Sequence, residues 1–300
     1  ALDDVSFTLH AGETLGLVGE SGCGKTTTGM ALLKMPSPPG RVEENSQIII
    51  NGRDIVPLSD SEIRKNVRWQ EISMVFQGAM NSLTPVYTIG KQMLETLREH
   101  KEMSDKEAQV LMEEYLGYVG LPPEVLNRYP HELSGGMKQR VVIASGLFLK
   151  PKLVILDEPT TALDVIVQAQ IINLLKELKK KFKLSFIFIT HDLSLEAEIS
   201  DRICVMYAGK IAELGTNEQI YGKEPLHPYT QKLLQATPLL RKRVSELSYI
   251  PGTPPDLISP PKGCRFNPRC HCTMDKCFEL EPPLIEVEPG HQVACWRCVK

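Results

Sequence analysis

Apolar and polar positions follow different rhythms along the chain. The opening ALDDVSF reads as a strand already under way, so a short segment upstream of Ala1 is expected. Thr14 to Val18 is a short apolar run, followed by a Gly-rich loop and a helical stretch toward Lys34. In QIIINGRDIV, Asn51-Gly52 lies between two apolar runs, which is the strongest short-range hairpin signal. On this pattern the first 60 residues are predicted to be mostly strands.

From about Ile89 to Gly120 the period lengthens to that of a helix. Ser104-Asp105-Lys106-Glu107 has capping-box spacing, and Leu111, Tyr115 and Val119 recur every four residues. Strand-like runs return at LVIL (153–156) and SFIFIT (185–190), separated by the helical QAQIINLLKELKKKF. Both runs are too apolar for half-exposed strands and fit the interior of a parallel sheet. Together these elements predict an α/β core carrying a helical insertion at about 85–150.

The overall composition is that of a globular chain with a real core. The 300 residues are 42% hydrophobic and 24% charged. A net charge of −3 gives no electrostatic case for nucleic acid or an anionic membrane as a direct partner. No apolar run approaches the roughly 20 residues of a membrane span, and no signal peptide opens the chain. Six of the eight cysteines lie between Cys264 and Cys298, and nine of the 22 prolines fall in the last 50 residues. These two shifts place a boundary near residue 235 and predict a main domain over 1–235 and a Pro/Cys-rich one over 236–300. The second is too short to build a good apolar core alone.

The chemistry begins at GESGCGKT. Gly19, Glu20, Ser21, Gly22, Cys23, Gly24, Lys25, Thr26 and the next residue, Thr27, follow a predicted strand and open a helix, as a phosphate-binding loop requires. Gly22 and Gly24 let the backbone wrap closely, and the helix N-terminus adds partial positive charge. Lys25 is placed to reach the β- and γ-phosphates of ATP, and the Thr26 hydroxyl to bind Mg²⁺. Cys23 occupies a variable position of the loop and is read as simple tolerance, the alternative being a thiol activated by the neighbouring Lys25 charge. The strand LVILDE delivers Asp157 at its end, a second Mg²⁺ ligand through water, and beside it Glu158 as general base for the attacking water.

LSGGMKQR (133–140) resembles the signature motif that distinguishes ABC ATPases from other P-loop enzymes. Ser134, Gly135 and Gly136 should start a helix, with Gln139 on its first turns, and its amides should point at a γ-phosphate. The resemblance places that phosphate on a partner subunit. By the same resemblance Gln77 in MVFQ is the Q-loop residue that ligates Mg²⁺, Asp164 closes the D-loop, and His191 is the switch histidine. The resemblance implies a RecA-like P-loop NTPase core with an antiparallel β-subdomain and a helical subdomain. It places the aromatic residue that stacks on adenine upstream of Ala1.

Clustered thiols in a cytosolic ATPase point to metal rather than disulfides. Cys264, Cys270, Cys277 and Cys295 are spaced x5, x6 and x17, while Cys272 is spare and Cys298 competes with Cys295 as the fourth ligand. Spacing alone fits zinc. HPYT (227–230), GCRFNPRC and HQVACW, however, resemble the C-terminal extension of ATPase subunits from dipeptide and oligopeptide ABC importers. That resemblance implies a four-thiolate [4Fe–4S] cluster in a small Cys-rich domain. It also implies peptide import at the cytoplasmic face of the membrane. The partners would be a second ATPase subunit, two transmembrane permease subunits and an extracytoplasmic peptide-binding protein. The rival readings are a nickel or metal-complex importer and a soluble ABC ATPase acting on ribosomes or nucleic acid.

Overall fold

A computed structural model describes residues 1–236 and 249–299. The linker expected beyond residue 235 falls largely on residues 237–248, outside the described residues. Strand β1 (Thr14–Val18) is buried along its whole length, and helix α1 (Lys25–Leu32) follows the Gly-rich loop. Asn51 and Gly52 turn the chain between β2 (Ile49–Ile50) and β3 (Arg53–Asp54). Both turn residues have positive φ, 51° and 80°, as a type I′ hairpin requires. Helix α2 (Asp60–Asn66) precedes β4 (Ile72–Val75). The expected helical stretch forms as α3 (Ile89–His100) and α4 (Asp105–Tyr118), with the Ser104–Glu107 capping box in place.

Next come α5 (Gly135–Leu147), β5 (Leu153–Asp157), α6 (Val165–Phe182), β6 (Ser185–Ile189) and α7 (Leu193–Ile199). The chain then runs through β7 (Arg202–Tyr207), β8 (Lys210–Thr216), α8 (Pro228–Gln235), α9 (Lys276–Glu279), β9 (Ile285–Glu288) and β10 (His291–Val293). Among the described residues, no helix is long and apolar enough to cross a membrane.

The first 60 residues hold fewer strands than their pattern predicts, only β1 and the two-residue β2 and β3. In the opening segment Val5, Phe7 and Leu9 are less exposed than Ser6, Thr8 and His10, so the alternation is real. Among the described residues, however, no ladder partner lies beside it, and alternation without a partner does not make a strand.

The chain divides into two units, residues 29–186 and residues 1–28 with 187–300. In the first, β4 and β5 pair in parallel, with Ile72 opposite Leu153 and Val75 opposite Leu156. Helix α3 buries Ile89, Met93 and Leu97 at four-residue spacing, and α4 buries Ala108, Met112, Tyr115 and Leu116. Tyr115 meets Phe148 edge-on at 5.3 Å and stacks on Phe182 at 6.0 Å, tying α4 to the ends of α5 and α6.

In the second unit β1 pairs in parallel with β7, and β7, β8, β10 and β9 continue the sheet antiparallel. One core gathers Val18, Val205, Tyr207 and Tyr229 with Phe266 of the tail, and Cys264 and Cys270 pack against it. Rather than standing on a core of its own, the Cys-rich segment shares the apolar core of this sheet. Its β9–β10 hairpin extends the sheet at β8. Glu213, fully buried on β8, fixes that join: it accepts hydrogen bonds from the amides of Leu226 (2.9 Å) and His227 (3.1 Å) and meets His291 Nε2 at 2.8 Å.

Candidate functional site

Within the unit containing β1, the loop after that strand is shaped by backbone geometry. Gly19 (φ 146°) runs so close to the Met206 carbonyl that a Cβ would lie 2.2 Å from its oxygen. Gly22 and Gly24 take φ of 79° and 110°, which leaves this turn to residues without a side chain. Lys25, at the first position of α1, is buried, and its Nζ donates to the carbonyls of Gly19 (2.7 Å) and Glu20 (3.1 Å). The ammonium is therefore held over the loop. Ser21, Gly22 and Thr26 are exposed and Thr27 is half-buried. Thr28, one residue past the motif, anchors the helix start by donating from Oγ1 to the Gly24 carbonyl at 3.0 Å.

Of the two readings of Cys23, its surroundings favour simple tolerance. Its Sγ lies 3.8 Å from Lys25 Nζ, yet the side chain is buried, and burial pushes the thiol pKa up against the pull of that charge. Desolvation outweighs the nearby cation, which favours the protonated thiol.

Glu20 is held at two points. Its amide donates to Tyr229 Oη at 2.9 Å, and its carboxylate forms a two-pronged pair with Arg269, at 2.6 Å and 2.9 Å. Sequence reasoning missed both contacts, although HPYT and NPRC were the motifs that contained them. His191 is exposed at the end of β6, and Asp192 beside it caps α7 by accepting from the amides of Ser194 and Leu195.

Within the unit of residues 29–186, β5 carries buried Asp157 at its end, and Glu158 follows with φ 48°. That left-handed angle is strained for a glutamate, and such strain clusters at functional positions. The Glu158 carboxylate accepts from Gln77 Nε2 (3.0 Å) and Thr161 Oγ1 (2.9 Å). The structure thus joins two of the expected site residues, Gln77 and Glu158, and adds Thr161, which opens the TALD segment ending at Asp164 but was given no role of its own.

Ser134 caps α5 by accepting from the Met137 amide at 3.3 Å, while Gly135 is exposed and Gln139 is buried. Asp164 caps α6 by accepting from the Val167 amide at 2.9 Å. A Cβ on Gly136 would lie 2.7 Å from Val167 Cγ1, so the glycine allows α5 to start against α6. Val165 and Ile166, beside Asp164, are 79% and 72% exposed, an apolar step that the sequence did not mark as a surface.

Cys264, Cys270, Cys277 and Cys295 line one cavity in the tail, together with Cys272, whereas Cys298 does not. Burial pushes Cys264 up to about 11 and Cys295 up to about 12, and raises Cys270 as well. All eight cysteines are free thiols. Among the described residues, no group of three or more His, Cys, Asp or Glu is arranged to hold a metal ion.

Comparison with known proteins joins these features. Residues 2–161 match the family described as ABC transporter, and residues 212–277 match the oligopeptide/dipeptide transporter C-terminal region. The oligopeptide transport ATP-binding protein OppD of Bacillus subtilis is 50% identical over 300 residues, covering 99% of this chain and 83% of that one. The dipeptide transport ATP-binding protein DppD of the same organism is 46% identical, covering 99% and 88%. Among solved structures, the dimeric ATP-binding cassette MJ0796 in a post-hydrolysis state, bound to ADP and Pi, is similar with a TM-score of 0.62 and 28% identity. It covers 72% of this chain and 90% of that one. Another, cbiO1 from Clostridium perfringens, has a TM-score of 0.64 and 26% identity, with coverage of 74% and 84%. With its phosphate-loop geometry, mixed α/β sheet and full-length likeness to transport ATPases, the chain belongs to the ABC transporter family, as an ATP-hydrolysing subunit of P-loop NTPase fold.

Proposed function

We propose that this chain powers import of dipeptides or oligopeptides at the cytoplasmic face of the cell membrane. It works with a second ATPase subunit (a paralogue or a copy of itself), two transmembrane permeases and an extracytoplasmic peptide-binding protein. The observation that carries the peptide assignment is the match of residues 212–277, supported by relatives named for oligopeptide and dipeptide transport. Residues 1–235 form the ATPase domain in this reading, with the helical subdomain near 85–150 and the C-terminal extension over 236–300.

Catalysis here is mostly positioning and electrostatics. Loop amides from Gly19 to Thr27 and the Lys25 ammonium bind the β- and γ-phosphates. Mg²⁺, when bound, neutralises phosphate charge. Thr26, Asp157 and Gln77 supply the oxygen donors that this ion prefers. Glu158 takes a proton from the attacking water, and its orientation is supported by the hydrogen bonds from Gln77 and Thr161. His191 contacts the γ-phosphate. Ser134, Gly135 and Gly136 act on the nucleotide of the partner subunit, whereas Gln139, expected to share that role, is buried on α5 and supports the helix from within; Asp164 belongs to the D-loop.

A second reading concerns the tail. Cys264, Cys270, Cys277 and Cys295 are the ligands of a [4Fe–4S] cluster, favoured by their shared cavity. Zinc, which would take the same four thiolates, is the rival.

The deciding experiment is reconstitution of the complete transporter in vesicles. ATP hydrolysis should rise several-fold with a di- or oligopeptide and its binding protein. Stimulation by a nickel complex but not by peptides would overturn the substrate assignment.

A further inference from the structure

The phosphate-binding loop is gripped by the far end of the chain. Arg269 lies between Cys264 and Cys270 in the segment GCRFNPRC. Its side chain is only 5% exposed, and its guanidinium meets both carboxylate oxygens of Glu20. The same group is pinned from behind: Nε donates to the Pro251 carbonyl at 2.8 Å and Nη1 to Tyr207 Oη at 3.2 Å. Tyr229, fully buried from the HPYT segment, takes the Glu20 amide on its hydroxyl. Tyr207, Tyr229 and Phe266 pack ring against ring at 4.6 to 5.3 Å, so both holding groups stand on one rigid aromatic cluster.

The chain of contacts continues to the catalytic cation. Glu20 offers its carbonyl, and Gly19 its own, to Lys25 Nζ. One residue is therefore fixed by the tail through its carboxylate and amide, and itself fixes the lysine. A two-pronged arginine–carboxylate pair sets orientation as well as distance, and its burial protects it from screening by salt.

We propose that Arg269 and Tyr229 are positioning residues for the phosphate-binding loop, through which the Cys-rich tail sets the loop's affinity for ATP. The proposal rests on the loop being the nucleotide site. A purely structural staple would hold the tail in place and cost stability when removed, but would leave nucleotide affinity unchanged in the folded protein. A positioning role alters affinity while the fold remains, and raises KM more than it lowers kcat.

The test uses the full chain and equilibrium binding of a fluorescent ATP analogue, with melting temperature recorded alongside. Glu20→Gln keeps shape and removes only the charge. Arg269→Met and Arg269→Lys remove or retain the cation, and Tyr229→Phe removes one hydroxyl. Expected are roughly 10-fold weaker binding for Glu20→Gln and Arg269→Met, partial recovery with Arg269→Lys, and a double variant no weaker than either single one. Unchanged affinity in folded Glu20→Gln, or losses that simply multiply in the double variant, would overturn the proposal. Lys25→Ala serves as the separate control: if it binds the analogue normally, the loop itself has been misread.

Discussion

At the scale of single residues, two glutamates show how surroundings decide what a carboxylate does. Glu158 is strained at φ 48° and held by Gln77 and Thr161, an arrangement suited to aiming a base. Glu158→Gln should retain ATP binding while single-turnover hydrolysis falls by about 10² to 10⁴; near-normal turnover would remove Glu158 from its role. Glu196 is the opposite case. It is fully buried on α7, accepts one hydrogen bond from Ser200 at 2.5 Å, and is pushed up by burial from 4.5 to about 8. The folded protein then holds this proton more tightly than the unfolded chain. Its stabilising share is complete below pH 4.5, declines as pH rises, and is lost by about pH 8. Glu196→Gln should flatten that decline, worth on the order of 4 kcal/mol across the window. Denaturant midpoints of the two proteins between pH 5 and 9 would check it, and parallel curves would refute it.

Residue-level geometry was legible wherever it was local. GESGCGKT, LVILDE and LSGG carry their geometry within a few positions of chain. The grip on Glu20 was not legible, because its partner is 249 residues away and nothing in NPRC says which loop its arginine meets. The sequence left two readings of Cys23 open for a related reason: the charge of Lys25 is visible in the sequence, but the burial that opposes it is a product of the fold.

Elements were predictable where a signal closes on itself. The Ser104 capping box and the Asn51-Gly52 turn each specify a start or a reversal from adjacent residues, and both formed. The opening segment kept its alternation but found no ladder, since pairing depends on a neighbour that the segment does not encode. The approach of α5 to α6 also rests on one atom that is absent. Gly136→Ala should push against Val167 and destabilise the protein by about 1 to 3 kcal/mol, and Val167→Ala should restore it. Urea unfolding of the single and double variants measures this, and a fully additive double variant would show that the two sites are independent.

For the molecule as a whole, the question was how a short Pro- and Cys-rich tail stays folded. Composition suggested a shortage of core in the tail, but not the remedy, which is that Phe266 joins the core of the β1–β7–β8 sheet. Buried Glu213 then fastens β10 to β8 through His291. Burial opposes its charge, but hydrogen bonds from His291 and from the amides of Leu226 and His227 hold its pKa below the usual range. Burial also lowers His227 to about 4, so that this imidazole stays neutral and accepts from the Tyr229 amide. Glu213→Ala should strip three partners at once and cost roughly 3 to 5 kcal/mol, with the tail becoming protease-sensitive first. A melting point within a degree of the parent would argue against this fastening.

The pairing of β1 with β7, and of Glu20 with Arg269, also sets an order of events during synthesis. The phosphate-binding loop is made before its supports in the tail, which leave the ribosome 249 residues later. At about 5 to 20 residues per second, that is a delay of tens of seconds. A nascent chain caught in that interval would thus carry the phosphate-binding motif without the supports that Tyr229 and Arg269 give Glu20.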